Sequence, residues 1–138
     1  MVKDKFKRDE MFYRLAHFNV GIEKKEDILR DLKVIPNPNF QDSQGTSYLH
    51  MACQAHSVEA ISILLELGAD ANIIDKRGFS PILNALGSIN ENNNNIFEIM
   101  LQHGLDLDQK EGEATLREQI RRFDDEGLNK IIEKYSQN

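Results

Sequence analysis

The chain of 138 residues carries a single cysteine, Cys53, so no disulfide can form within it, a usage that suits a reducing compartment. Long apolar runs are missing too; none approaches the roughly 20 residues that a membrane-spanning helix requires. The stretch Met1 to Glu10 alternates charges and lacks the apolar core of a signal peptide. Positive charge is in short supply: 17 Lys and Arg stand against 23 Asp and Glu, for a net charge of −6. That disfavours nucleic acid as a partner, because such binding runs on an excess of basic side chains against phosphate. An acidic surface suits a basic protein partner better. These shortages predict a cytoplasmic protein without a membrane segment. Hydrophobic residues at 40% and charged residues at 29% are the balance of a folded domain rather than of a disordered chain.

What is present is an internal repeat. Asp42-Ser-Gln-Gly45-Thr-Ser47-Tyr-Leu49-His-Met-Ala52 aligns with Asp75-Lys-Arg-Gly78-Phe-Ser80-Pro-Ile82-Leu-Asn-Ala85, and each matched pair is separated by 33 positions. Farther on, Leu64-Leu65-Glu-Leu-Gly68-Ala-Asp70-Ala-Asn72 matches Met100-Leu101-Gln-His-Gly104-Leu-Asp106-Leu-Asp108 at an offset of 36. The three extra residues fall between these blocks, and the asparagine-rich stretch Ile89 to Asn95 is the obvious place. That run, Asn92 to Asn95, reads as a solvated loop or as a protruding contact element.

A period of 33 with the run Ser47-Tyr48-Leu49-His50-Met51-Ala52, followed by Ala60-Ile61, Leu64-Leu65 and Gly68-Ala69-Asp70, resembles the ankyrin-repeat family. Tyr48 stands where the family has proline, and His56 takes a glycine slot in the turn between helices. His is among the residues enriched at positive φ. The resemblance implies an all-α solenoid of about four helix-turn-helix repeats, two central and two capping. As one domain over 1–138, the predicted units are an N-terminal cap at 3–41, repeats at 42–74 and 75–110 with the insertion near 89–95, and a C-terminal cap at 111–138. The local chemistry agrees. Ser47 suits a helix N-cap, and Pro81 suits a first turn that has no use for its missing donor. Ala60, Ile61, Leu64 and Leu65 form one apolar stripe, and Gly68 and Gly104 suit left-handed helix ends.

The terminal segments match less closely, as expected where an outer face meets water. Upstream, helices are predicted over Lys3 to Phe18, with Phe6, Met11, Phe12, Leu15 and Ala16 inward, and over Lys24 to Val34, with Ile28, Leu29 and Leu32 inward. Asn39 precedes Asn72 by 33. Downstream, Thr115-Leu116 opens a further unit, with a shortened finger at Lys110 to Glu113 and Ile131-Ile132 in the places of Leu64-Leu65.

Catalytic and metal chemistry find little support. His50, Cys53 and His56 do not share one helix face, and the family explains His50 as a local hydrogen-bonding residue. Cys53 has no neighbouring base to activate it. Glu66, Asp70, Asp106 and Asp108 lack a calcium-loop spacing and fall in the repeat's turns. Arg117, Arg121 and Arg122 are followed by Asp124, Asp125 and Glu126, which reads as a solvated, self-paired face. The expectation is a non-catalytic monomer without cofactor or metal. Family resemblance implies a protein-binding scaffold that uses the concave face of fingers and inner helices. The candidate contact residues there are Gln44, Thr46, Gln54, Ile74, Lys76, Arg77 and Phe79. Ile74 and Phe79 stand out, because the repeat asks for no large apolar residue at either position; the alternative for Phe79 is packing on Tyr48 or on the adjacent finger. An inhibitor or immunity-type protein that occludes a toxin or enzyme is the alternative.

Overall fold

The computed structural model describes residues 10–136; Phe6 and the predicted helix start at Lys3 lie outside them. Eight helices follow one another within that range. They are α1 at 10–16, α2 at Lys25–Leu32, α3 at Tyr48–Gln54, α4 at Val58–Glu66, α5 at Pro81–Leu86, α6 at Asn93–Gln102, α7 at Leu116–Arg121 and α8 at Glu126–Tyr135. A two-stranded hairpin, β1 at Lys110–Glu111 and β2 at Ala114–Thr115, precedes α7. The helices stack in two layers. The second helices of successive pairs run α2, α4, α6, α8 side by side, and the first helices pack α3 on α5. No described helix is long and apolar enough to cross a membrane.

Each helix starts and stops for a local reason. Ser47 accepts the His50 amide at the start of α3 while the His50 ring accepts the Ser47 amide, a reciprocal capping box. Thr115 and Glu118 repeat that arrangement at α7, and Ser57 and Asp125 cap α4 and α8. The ends of α4 and α6 close alike. Gly68 and Gly104 take φ of +99° and +94°, which turns the next amides, of Ala69 and Leu105, back onto the carbonyls of Leu64 and Met100.

The core is one continuous cluster along the stack. Ala60, Ile61, Leu64 and Leu65 are buried as predicted, and Ala52 and Ala85, fully buried, let α3 and α5 approach closely. At the N-terminal end Phe12 stacks on Tyr48, with ring centroids 4.6 Å apart. Arg14 ties α1 to the following segment through Glu23 at 2.7 Å and Asp31 at 2.9 Å.

Two expectations change. Ala16 is exposed and Phe18, just past α1, is buried in its place, because the helix ends at 16 and the chain turns inward. Asn93 to Asn95 form the first turn of α6 rather than a loop. The extra length lies earlier: residues 87–92 join α5 to α6, whereas 55–57 suffice between α3 and α4. Asn93 donates to the Ser88 carbonyl at 2.8 Å within the longer connection, and Asn92 donates to the His56 carbonyl at 3.1 Å, tying that connection to the turn at 55–57.

Ile61→Ala or Leu64→Ala should lower the unfolding free energy by about 2–5 kcal/mol, read from urea midpoints. Asn93→Ala should stay within about 1 kcal/mol, since it loses one hydrogen bond while removing a buried side-chain oxygen that has no partner.

Candidate functional site

The candidate residues sit on two fingers, 42–46 and 75–79, built in the same way. In each, the aspartate amide donates to the carbonyl four residues on, Asp42 to Thr46 and Asp75 to Phe79, both at 3.0 Å. The carboxylate then accepts two amides across the loop, those of Gln44 and Thr46 in the first finger and of Arg77 and Phe79 in the second. The fingers are joined edge to edge. The Lys76 amide donates to the Gln44 carbonyl at 3.0 Å, and Gln41 Nε2 bridges the carbonyls of Gly45 and Ile74 at 2.8 and 2.9 Å. That approach requires glycine at 45, where a Cβ would stand 2.8 Å from the Lys76 nitrogen. His50 reaches across as well. Its Nε2 bonds the Phe79 carbonyl at 2.9 Å, while Nδ1 accepts from Ser47.

Gln44, Ile74, Lys76, Arg77 and Phe79 are thus brought together at exposed fingertips, and Thr46 is half-buried beside them. Gln54 is exposed at the far end of α3, about 9 Å from its start at ~1.5 Å per residue, and belongs to the helical wall behind the fingers. Ile74 and Phe79 are 44% and 37% exposed. The Arg77 guanidinium lies 5.2 Å from the Phe79 ring centroid and pairs with Asp75 at 2.8 Å. Burial alone would raise the Asp75 carboxyl; Arg77 and the amides of Phe79 and Arg77 outweigh it and hold the group below its ordinary value. The arginine, though exposed, is therefore partly neutralised by its own finger, and Lys76 is the cation at that tip with no ion pair among the described residues.

The histidines, the cysteine and the turn aspartates are bonded or buried. Burial lowers the His50 pKa, and both ring nitrogens are engaged as a neutral imidazole with its proton on Nε2. Cys53 is fully buried, and desolvation pushes its thiol up, away from the reactive thiolate. His56, at φ +54°, bonds the Ala85 carbonyl at 2.8 Å through Nε2. Asp70 and Asp106 each accept the amide two residues on. Arg117 pairs with Asp108 rather than with the acidic run that follows it. Among the described residues no group of three His, Cys, Asp or Glu could hold a metal ion.

Glu111 has a structural role that no local sequence pattern signals. Ser80 lacks a histidine partner, because Leu83 stands where His50 stands one repeat earlier. Glu111 from the hairpin takes over, accepting the Ser80 amide at 2.6 Å and its hydroxyl at 3.1 Å. Desolvation raises the Glu111 carboxyl, and the two Ser80 bonds oppose that shift. Only the fold brings residue 111 back to 80, so no local pattern announces the pair.

The family pattern "Ankyrin repeats (3 copies)" matches residues 16–111. The chain belongs to the ankyrin-repeat family. Among curated proteins it is similar to an ankyrin repeat protein of fowlpox virus, 28% identical over 62% of this chain and 14% of the relative. An ankyrin repeat protein of Acanthamoeba polyphaga mimivirus is 32% identical over 61% of this chain and 11% of its own length. The B-cell lymphoma 3 protein homolog of Mus musculus is 38% identical over 46% of this chain and 14% of its own. The chain thus spans a small fraction of these longer relatives. Ankyrin repeats are generally protein–protein interaction modules, and the α7–α8 pair continues the stack beyond the matched span.

A stability profile against pH tests the His50 assignment. The folded state holds the imidazole pKa below its unfolded value of 6.5, so His50 contributes stability that is present above 6.5 and lost as pH falls. Glu111, raised in the fold, acts in the opposite sense. Urea midpoints taken from about pH 7.5 down to about pH 5 should fall more steeply in the natural chain than in His50→Gln, which cannot protonate. Equal slopes would remove His50 from the account.

Proposed function

We propose that the chain is a non-catalytic protein-binding module whose partner contacts the finger and inner-helix face through Gln44, Thr46, Gln54, Ile74, Lys76, Arg77 and Phe79. We further propose that it acts as a cytoplasmic monomer of one domain, with central repeats at 42–74 and 75–110 and capping units on either side. The observation that carries the reading is the exposure of Ile74 and Phe79 on fingers that backbone hydrogen bonds already hold in place. Apolar side chains displayed on a rigid support lose little freedom on binding, and aromatic residues beside arginine are favoured at interface hot spots. Family membership supports the same reading, since ankyrin repeats work by holding other proteins. A non-catalytic role is supported by the engagement of His50 and the burial of Cys53.

The test begins with affinity capture from native host extract and mass spectrometry of the captured protein. Binding of that protein should weaken by at least about 1 kcal/mol in Phe79→Ala and in Arg77→Ala, with circular dichroism unchanged. Full affinity in both variants would move the contact off the fingers. If the captured protein is an enzyme or toxin whose activity falls on binding, the module acts as an occluding inhibitor.

A further inference from the structure

The turns between paired helices form a second edge, separate from the fingers. Three of them are stitched together. Asn19 Nδ2 donates to the Ala55 carbonyl at 2.9 Å, His56 Nε2 to the Ala85 carbonyl at 2.8 Å, and Asn92 Nδ2 to the His56 carbonyl at 3.1 Å. Around them lies an open groove of about 530 Å³, lined in part by Phe18, Lys25, Glu26, His56, Glu59 and Glu91. Lys25 is drawn over the Phe18 ring, 5.3 Å from its centroid. Glu26, Glu59 and Glu91 are exposed and form no ion pair among the described residues.

Large exposed apolar side chains lie within three residues of this groove's lining along the chain. Ile89, next to the lining residue Asn90, is fully exposed at 104%, and Val20 and Ile22, in the turn that carries Phe18 and Asn19, are 64% and 62% exposed. None belongs to the core or to the hydrophobic residues packed against it. Contiguous apolar patches rimmed by polar groups mark interaction surfaces, and these three side chains supply separate apolar anchors on two of the turns that border the groove. The charge selects the occupant. A second copy meeting this edge face to face would set its own three glutamates against these, at a repulsive cost. A phosphate backbone would be repelled in the same way.

We propose that this edge docks a basic, amphipathic segment of another protein, with its Lys or Arg side chains between Glu26, Glu59 and Glu91 and its apolar side chains on Ile89, Val20 and Ile22. This site is independent of the finger face.

The probe is a fluorescent helical peptide of lysine and leucine, with a glutamate and leucine peptide as its counterpart, read by anisotropy at about 0.15 M salt, where the Debye length is about 8 Å. The lysine peptide should bind and the glutamate peptide should not. Ile89→Ser, and the pair Glu59→Lys with Glu91→Lys, should each weaken binding at least roughly fivefold, the second with a flatter salt dependence. The pair Glu113→Lys with Glu133→Lys makes the same change in net charge at exposed positions away from the groove and should leave binding within about twofold. Phe79→Ala should have no effect, so loss of the finger site and loss of this one are separable. Absence of binding to the natural chain, an unaltered affinity in Ile89→Ser, or equal weakening by the two charge-reversed pairs would each overturn the proposal.

Discussion

Side chains of one helix pair bond backbone groups at the edge of the next, some of which, such as the Phe79 carbonyl, already hold a partner in their own unit, and these cross-links tie the stack together. These bonds are exposed or part-buried, so each adds modestly to stability, and it is their geometry that fixes the spacing and register of the units. Asn39 shows the rule in one side chain. Its amide donates to the Gly68 carbonyl and its oxygen accepts the Asp70 amide at 2.7 Å. Asn72, 33 residues later, does the same to Gly104 and Asp106. Gln41 and His50 make corresponding links between fingers, and Asn19, His56 and Asn92 make them between turns.

This arrangement explains why one molecule presents two different edges. The fingers are short loops closed by an aspartate and cross-linked to one another, so their side chains project from a stiff backbone. The turns within helix pairs vary in length, from three residues at 55–57 to six at 87–92 and eight at 17–24, and the residues added at 87–92 carry Ile89 and Glu91 into solvent. In a solenoid each unit contacts only its neighbours, so a lengthened turn disturbs nothing beyond the local stitching. Asn92 and Asn93 supply that stitching, which gives the asparagine run a structural task.

The fold was largely legible in the chain because its determinants are local or recur at a fixed interval. Helix caps at Ser47 and Thr115, left-handed glycines at 68 and 104, and the stripe of Ile61, Leu64 and Leu65 each follow from residues within one turn of one another. The sequence marked Ile74 and Phe79 as unusual at their repeat positions but left open whether Phe79 packs on Tyr48 or on the adjacent finger; the fold leaves it 37% exposed.

What only the tertiary structure decided involves residues far apart in the chain. The pairing of Glu111 with Ser80 and the return of Phe18 to the core depend on where a neighbouring unit or a chain reversal places a side chain. So does the groove beside Ile89, assembled from three separate turns that share no sequence pattern. The neutralisation of Arg77 by Asp75 is local, yet it too required the finger's folded shape, because two residues of separation along an extended chain would point both side chains the same way without fixing their contact. Periodicity specifies which units exist and how each begins and ends. The geometry of their stacking specifies which side chains meet, because hydrogen bonds and ion pairs form over a few ångströms of space and carry no trace of their sequence separation.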